Sequence, residues 1–235
     1  NSLATPKVYG KINIAADDGN GTDDYVSNAS RLGIKGTEDL DGLTGIYQIE
    51  YEIDPTDGYA QDEVKNSNGY VTKSAMIAKQ RNTFIGLKGD WGTVKLGFHD
   101  TYLKLAQGKV DLFNDTTADI KYILRGENRM NSFVGYVSPD LIDGLNVSIN
   151  SISQSTGNGE SSAFNYSKND IKASFAIEQN IKGYDGKRFS VMLPLGEIDL
   201  GLIYQSSRKL SSGKSFSGHV ASMKRKISDK GSIYI

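Results

Sequence analysis

The sequence contains no cysteine and only two histidines among its 235 residues. The absence of cysteine excludes a disulfide framework and thiolate chemistry. His99 and His219 lie far apart in the sequence and form no His-x-x-x-His pattern, and the chain has no Gly-x-Ser-x-Gly motif. Neither a zinc centre nor a serine hydrolase is therefore indicated. We expect no enzymatic activity and no cofactor.

Net charge and long apolar runs are also lacking. The 27 Lys and Arg residues and 28 Asp and Glu residues leave a formal charge of −1, so no overall field points to nucleic acid as a partner. No apolar run approaches the ~20 residues of a membrane-spanning helix. Strands of a membrane barrel give a weaker hydropathy signal because their apolar and polar residues alternate. No basic-then-apolar leader is present, so we interpret residues 1–6 as a mature start.

What the sequence does contain is alternation of apolar and polar residues. In residues 47–53 one face carries Tyr47, Ile49, Tyr51 and Ile53, and the other carries Gln48, Glu50 and Glu52. The same pattern recurs in residues 7–15, 31–37, 93–99, 145–150 and 171–178. Such alternation predicts half-buried β-strands. We expect an all-β chain of about thirteen strands in which residues 1–235 form a single domain.

The predicted connections fall into two classes. Tight turns are predicted at residues 39–42, 89–92, 139–144, 168–170 and 195–198. Longer polar loops are predicted at residues 17–28, 54–74, 154–162, 183–187 and 208–214. Short turns at one end and long loops at the other are typical of a transmembrane barrel. A soluble sandwich is also compatible with these strands, because the outer faces of its sheets are in water and can carry charged residues.

Four blocks in order carry a resemblance to a known family. They are SRLGIKGTEDL (30–40), LTGIYQIEYE (43–52), RNTFIGLKGDWGTVKLGFHD (81–100) and NRMNSFVGYVSPDLIDGLNVS (128–148). Together they resemble the general diffusion porins of Gram-negative outer membranes, most clearly over residues 7–150. The resemblance implies a transmembrane antiparallel β-barrel, sixteen-stranded in the family. It also implies a usual homotrimer and a long third loop folded into the lumen.

The residues between the third and fourth blocks are predicted to form that loop. Residues 101–128 are too long for a hairpin connection, and residues 110–129 read VDLFNDTTADIKYILRGENR. Asp111, Asp115 and Asp119 recur every fourth position, which places them on one face of a helix. The resemblance implies that they form the acidic side of a constriction. A calcium site or a solvated loop face are alternatives, and we assign no metal ligand.

The basic side of the constriction is implied by the same resemblance. Arg31, Arg81 and Arg129 match the positions of the family's wall arginines. Strict alternation would put Arg81 on a mixed face, so its role requires a β-bulge. The parity of Lys11, Lys35 and Glu50 places them in the lumen as well. Candidates for the aromatic girdles at the membrane surface are Tyr47, Tyr51, Trp91, Tyr102 and Tyr136.

The sequence therefore predicts a channel of the Gram-negative outer membrane. Small hydrophilic solutes and ions would diffuse passively through the charged constriction, and lipid and lipopolysaccharide would surround a homotrimer. One alternative is a substrate-selective porin for sugar, phosphate or amino acid; another is a soluble secreted β-rich binding module.

The chain ends in SIYI rather than in the family's terminal aromatic. We expect about three further strands beyond Ile235 if the family's strand number applies.

Overall fold

A computed structural model describes residues 6–17, 24–56, 63–65, 71–73, 78–228 and 232–235. The described part is almost entirely antiparallel β-structure. Its strands are β1 (Lys7–Lys11), β2 (Ile14–Asp17), β3 (Asp24–Ser27), β4 (Arg31–Asp39), β5 (Thr44–Ile53), β6 (Glu63–Lys65), β7 (Val71–Lys73), β8 (Ala78–Gln80), β9 (Thr83–Gly89), β10 (Gly92–Asp100), β11 (Arg129–Val137), β12 (Leu145–Ile152), β13 (Gly159–Lys168), β14 (Ile171–Ile181), β15 (Tyr184–Leu195), β16 (Ile198–Lys209), β17 (Ser215–Lys226) and β18 (Ser232–Tyr234). A short helix, α1 (Tyr102–Leu105), and a 3-10 turn (Ile120–Tyr122) lie between β10 and β11.

One sheet of 14 strands dominates the molecule. Its order is β1-β4-β5-β9-β10-β11-β12-β13-β14-β15-β16-β17-β18, and β8 pairs with β5 beside β9. The hairpins β2–β3 and β6–β7 form separate two-stranded sheets in the long connections. Every pairing in the main sheet is antiparallel, and the predicted all-β fold is confirmed. Among the described residues, no helix is both long and apolar enough to cross a membrane.

The two faces of the sheet differ sharply in chemistry. On β15, Arg188 is 0% exposed while its neighbour Phe189 is 45% exposed. Large apolar side chains cover the outward face and are exposed: Val8, Leu32, Ile34, Ile49, Ile85, Leu96, Val134, Ile149, Phe164, Phe175, Phe189 and Leu202. Polar side chains on the opposite face are buried: Glu50, Ser148, Asn150, Ser161, Glu178, Arg188, Ser190, Gln205 and Ser207. This is the reverse of a soluble sandwich core, and it is the pattern of a sheet with lipid outside and a polar lumen inside.

The sheet wraps around residues 101–128, which we call the inner segment. The segment contacts β12, β13, β14 and β15 through α1. Farther along, Asp115 reaches Arg31 on β4, close to the other edge of the sheet. A methyl group at Gly218 on β17 would lie 2.7 Å from Leu124 Cδ2, so this strand also turns its inward face to the segment. Because strands from both ends of the sheet touch the same segment, the inner segment lies inside the curved sheet.

Two apolar clusters fix the inner segment to the sheet. In the larger cluster Tyr102 and Leu103 of α1 pack on Phe133, with ring centroids of Tyr102 and Phe133 5.8 Å apart. In the smaller cluster the segment's residues Val110, Ile120 and Leu124 pack on Ile203 of β16. Each fully buried side chain of this size contributes roughly 1.5–3 kcal/mol. The core of this molecule is therefore the contact between the segment and the inward face of the sheet.

Three expectations about local structure need correction. Residues 111–119 form successive turns rather than a helix, so the three aspartates do not stack on one helical face. The chain between β14 and β15 is a two-residue turn at residues 182–183, because β15 begins at Tyr184 and includes the residues predicted as a longer loop. Tyr102 is buried inside the sheet rather than in an outer girdle, since α1 carries it onto Phe133.

The predicted tight turns agree with the strand bounds, whereas residues 159–162 of the loop predicted at 154–162 belong to β13. The tight turns predicted at residues 39–42, 89–92, 139–144, 168–170 and 195–198 all separate consecutive paired strands. Trp91 and Tyr136 lie at that short-turn end, where their rings stack at 6.5 Å and the Tyr136 hydroxyl donates to the Trp91 carbonyl. Most of the predicted start at residues 1–6, and parts of the loops predicted at 17–28 and 54–74, lie outside the described residues.

Candidate functional site: a charged constriction inside the sheet

The inner segment begins with a capped helical turn held by the wall behind it. Thr101 is the N-cap of α1, and its side chain accepts a hydrogen bond from the Lys104 backbone N–H. The other free N–H groups of the first turn are satisfied by wall side chains. Asn150 Oδ1 accepts from Tyr102 N–H at 3.2 Å, and Ser161 Oγ accepts from Leu103 N–H at 2.8 Å. The strands β12 and β13 therefore fix where the segment enters the lumen.

A buried arginine secures the return of the segment. Arg188 Nη2 lies 2.7 Å from Glu127 Oε1, and Arg188 Nε donates to Gln205 Oε1 at 2.7 Å. The remaining guanidinium donors reach the backbone carbonyls of Leu103 and Arg125 at 3.2 and 3.1 Å. A single side chain thus ties both ends of the inner segment to β15 and β16. We call β12–β16 the anchoring wall.

Asp115 is the acidic residue that crosses to the opposite side. Its Oδ2 lies 2.9 Å from Arg31 Nη2 and 3.8 Å from Lys11 Nζ, and its Oδ1 lies 3.8 Å from Arg81 Nη2. The backbone of Asp115 has φ of 64°, a left-handed conformation that aspartate and asparagine tolerate better than most residues. The tip of the segment therefore presents one carboxylate to three cations. We call the strands β1, β4, β5 and β8, with the adjoining Arg81, the charged wall.

Arg81 lies at a break between two strands, and this break turns its side chain toward the inner side of the sheet. β8 ends at Gln80 and β9 begins at Thr83, which leaves residues 81–82 between the two strands. Arg81 Nε lies 2.9 Å from Glu50 Oε1, and Arg81 Nη1 lies 2.7 Å from Glu52 Oε2. The break in alternation turns this arginine inward beside two acidic residues of β5. Its positive charge is therefore largely compensated within the charged wall.

Arg129 is compensated in the same way. Its Nε lies 3.0 Å from Asp100 Oδ1 and donates to Asn82 Oδ1 at 2.9 Å. Lys104 of the segment also pairs with Asp100 Oδ1, at 3.1 Å. Asp100 is the last residue of the block RNTFIGLKGDWGTVKLGFHD (81–100). Arg129 thus shares one carboxylate with Lys104 at the base of the inner segment and has no ion pair with the three loop aspartates.

Asp111 and Asp119 are turned toward the segment itself. Asp111 Oδ1 accepts from the Phe113 backbone N–H at 3.2 Å. Asp119 caps the 3-10 turn by accepting from the Lys121 backbone N–H at 2.8 Å, and its other oxygen accepts from the Asp115 backbone N–H at 2.9 Å. These bonds shape the turns that place Asp115. The structure thus brings together with the basic residues only one of the three predicted aspartates.

The remaining predicted lumen residues lie on the charged wall. Lys35 Nζ is 5.1 Å from the centroid of the Tyr9 ring, and the Tyr9 hydroxyl donates to Glu50 Oε2 at 2.9 Å. Glu50 is buried between Tyr9 and Arg81. Lys11 is the most exposed of the three cations near Asp115. These side chains form a continuous polar lining along β1, β4 and β5.

A water-accessible cavity of ≈ 420 Å³ lies between the segment and the charged wall. Its lining combines Asp115, Thr116 and Thr117 of the segment with Arg81 and residues of β3 and β8. The space beside the Asp115–Arg31 pair is therefore polar and charged on both sides. No group of three or more His, Cys, Asp or Glu side chains that could hold a metal ion occurs among the described residues.

Burial changes the proton affinities of groups in the inner segment. It raises the pKa of Asp111, a shift that the hydrogen bond from Asn114 partly offsets. Burial likewise raises the pKa of Glu127, although the adjacent Arg188 guanidinium acts in the opposite direction. It also raises the pKa of Tyr102, whose hydroxyl has no hydrogen-bond partner among the described residues. The packing of the segment thus removes these three groups partly from water.

Sequence reasoning missed the residues that hold the segment in place. Arg188, Glu127 and Glu178 are buried polar residues that no motif marks. The Glu178 carboxylate accepts from Asn128 Nδ2 at 3.2 Å, next to the Arg188–Glu127 pair. The sequence offered one signal: an ionisable residue at a strand position that, by alternation, faces the inside of the sheet, where the long loop lies. That signal identifies a lumen position but not its partner.

Comparison with known proteins gives the family. The profile described as Gram-negative porin matches residues 2–230. The chain is 32% identical over 106 residues to a monosaccharide porin from Halomonas sp and, with the same figures, to the major outer membrane protein of Halomonas elongata. Each match covers 41% of this chain and 25% of the relative, so it extends over a quarter of the relative's length.

Solved structures give the same fold. An anion-selective porin from Comamonas acidovorans is similar with a TM-score of 0.70 and 17% identity, over 98% of this chain and 77% of that chain. OmpT of Vibrio cholerae lacking loop L8 is similar with a TM-score of 0.66 and 15% identity, over 99% of this chain and 80% of that chain. At these identities the likeness establishes the fold alone. Together with the profile match and the lumen-facing segment, it shows that this chain belongs to the Gram-negative porin family of the outer membrane.

Proposed function

We propose that the chain forms a channel through which small hydrophilic solutes and ions diffuse passively. The observation that carries the proposal is the inward segment whose Asp115 meets Arg31 2.9 Å away on the charged wall. Opposed charges at a narrow aqueous passage with low-dielectric walls are screened less than on an open surface. These charges orient polar solutes. An apolar solute must displace bound water and gains no interaction with the charges in return.

In this proposal Asp115 determines the ratio of anions to cations in the passage between the segment and the charged wall. It is the segment's one carboxylate that pairs with the three cations Arg31, Arg81 and Lys11. Arg81 and Arg129 already have acidic partners in the sheet, whereas Arg31 pairs with Asp115 alone among the described residues. Removing Asp115 therefore leaves uncompensated positive charge, and removing Arg31 lowers the positive charge beside Asp115, where Lys11 and Arg81 remain at 3.8 Å.

The test is the reversal potential of single channels in a salt gradient. Asp115→Asn should shift selectivity toward anions, and Arg31→Gln should shift it toward cations. At about 4 Å in water one unit charge is worth about 1 kcal/mol, which is about fivefold in the local concentration of anions and about fivefold, in the opposite direction, in that of cations. The shift should shrink at high salt, because exposed charges are screened. Asparagine is the substitution of choice because position 115 has positive φ.

Asp111→Asn provides the matched comparison. It removes the same charge from the same segment, at a side chain that bonds its own turn rather than the charged wall. It should shift the reversal potential much less than Asp115→Asn. Equal shifts from the two variants, or wild-type selectivity in both Asp115→Asn and Arg31→Gln, would remove the assigned role of this charge pair.

A carbohydrate-selective channel is a second candidate. It is favoured by the relative from Halomonas sp named a monosaccharide porin, to which this chain is 32% identical over 106 residues. Saturable reduction of single-channel current by glucose would support it. A glucose effect that stays proportional to concentration would support the general diffusion channel.

The surroundings of the channel follow from the same proposal. The exposed apolar outward face would contact outer-membrane lipid and lipopolysaccharide, and the chain would assemble as a homotrimer. Residues 1–235 would belong to a single barrel domain, and each protomer would have its own passage. Chemical cross-linking of the membrane-embedded protein, read as the size of the largest covalent species, tests the trimer.

A further inference from the structure

Arg125 differs from the other arginines on the inward side of the sheet. Arg31, Arg81, Arg129 and Arg188 each have a carboxylate within 4 Å. In the part of the chain that the structure describes, the Arg125 guanidinium makes neither an ion pair nor a hydrogen bond, and the side chain is exposed. Its N–H donors are therefore available to a ligand. Only the faces of the group are engaged, by aromatic rings.

Two inward-facing rings hold this guanidinium. Its central carbon lies 4.7 Å from the centroid of Tyr184 and 5.1 Å from that of Phe216. Tyr184 shares the parity of the buried Arg188 on β15. Phe216 shares the parity of Gly218, which faces Leu124 of the inner segment. Cation–π contacts of this kind restrain the orientation of the guanidinium without using its N–H donors.

A cavity of ≈ 240 Å³ opens beside Arg125 on the Phe216 side. Its lining contains two cations, Lys121 and Arg125, and no carboxylate. Leu124 and Phe216 supply apolar surface, and Ser217 supplies a hydroxyl group. A second cavity, on the Tyr184 side, also includes Arg125, but its lining contains three acidic residues, Glu127, Glu178 and Asp185. The first cavity is therefore the one whose charge favours an anion.

We propose that Arg125, restrained by Tyr184 and Phe216, forms a binding subsite for a small organic carboxylate at the long-loop mouth of the channel. A carboxylate can accept two parallel hydrogen bonds from a guanidinium, and the ligand's apolar body would lie against Leu124 and Phe216. The proposal rests on the proposed channel function, because the subsite would concentrate such solutes on their way to Asp115. A neutral sugar is disfavoured because the guanidinium occupies the ring faces on which it would stack.

The test is calorimetric titration of benzoate into the detergent-solubilised protein. The wild type should bind benzoate, and Arg125→Gln should weaken binding about tenfold or more, since a hydrogen bond to a charged group is worth about 1.5–3 kcal/mol. Arg125→Lys should lie between them, because it keeps the charge but loses the paired donors. Arg208→Gln is the matched control: Arg208 is an exposed arginine at the same end of β16, on the outward parity.

The outcomes separate the subsite from the channel function. Benzoate binding equal in wild type and Arg125→Gln, or weakened equally by Arg208→Gln, would overturn the subsite. Benzyl alcohol binding as tightly as benzoate would also overturn it, because the neutral compound lacks the carboxylate. Arg125-dependent binding by a protein that conducts no ions would uphold the subsite and reject the channel. Should Arg125→Gln fail to fold, as read by circular dichroism, the comparison of Arg125→Lys with wild type decides.

Discussion

The inner segment meets the two sides of the sheet through different physics. Against the anchoring wall it packs closely: Leu103, Phe133 and Arg188 are buried where the segment meets the strands. Against the charged wall it meets a polar cavity, and Asp115 is its main contact there. The same chain segment is thus fixed on one side and exposed to solutes on the other.

The difference teaches how a long loop can serve as a filter. A loop of some twenty-eight residues loses much conformational entropy when it is ordered, on the order of 1–2 kcal/mol for each residue's backbone. Apolar burial and the Arg188 network offset that cost on the anchoring wall. The charged wall is then free to use its side chains for selectivity rather than for stability.

The largest expected effect comes from breaking the anchor. Arg188→Met leaves Glu127 buried without its cation, and loss of one member of a buried ion pair costs about 3–5 kcal/mol. The inner segment should detach from the anchoring wall. Trypsin should then cleave at Lys109 within the segment in folded, detergent-solubilised protein, and single-channel current should become larger and noisier.

Two further variants sharpen this comparison. Arg188→Met combined with Glu127→Gln should recover part of the trypsin resistance, because a neutral amide then replaces the unpaired carboxylate. Arg208→Met removes an arginine from the outward parity and should leave the cleavage pattern of the wild type. Equal resistance of Arg188→Met and wild type to trypsin would contradict the anchoring role.

The smallest expected effect concerns Asp111. Burial raises the pKa of this carboxyl in the folded protein, so the folded state binds the proton more readily than the unfolded state does. The contribution of Asp111 to stability therefore falls as pH rises from the ordinary carboxyl range through the raised pKa. Asp111→Asn cannot ionise and should gain stability relative to wild type over that rise. Urea unfolding at about pH 3 and about pH 7 measures the difference; a constant difference would contradict it.

The fold was readable from the sequence because alternation is a local signal. Alternation in residues 47–53 predicts a strand, which the structure forms as β5, with Glu50 buried and its neighbour Ile49 exposed. Arg81 was predictable only with the added condition of a bulge, because a break of residues 81–82 changes which face a side chain takes. The strand pattern thus predicts a lumen residue well wherever the strand is regular.

The geometry of the site depended on contacts that local patterns do not contain. Spacing of four residues suggested one helical face for Asp111, Asp115 and Asp119, but the segment folds as turns because its own carboxylates bond the backbone. Arg188 lies 61 positions beyond Glu127 in the sequence, and only the curvature of the sheet around the segment brings them together. Such long-range pairs follow from the tertiary structure.

The central claim is that the inner segment lies in the path of permeating ions. The chain has no cysteine, so a single introduced thiol can be labelled selectively. Thr117→Cys places the thiol on the segment beside the ≈ 420 Å³ cavity, and Phe164→Cys places it on the exposed outward face as a control. Complete reaction with a charged methanethiosulfonate reagent should lower single-channel current in the Thr117→Cys protein and leave it unchanged in the Phe164→Cys protein. Unchanged current in fully labelled Thr117→Cys protein would contradict the account.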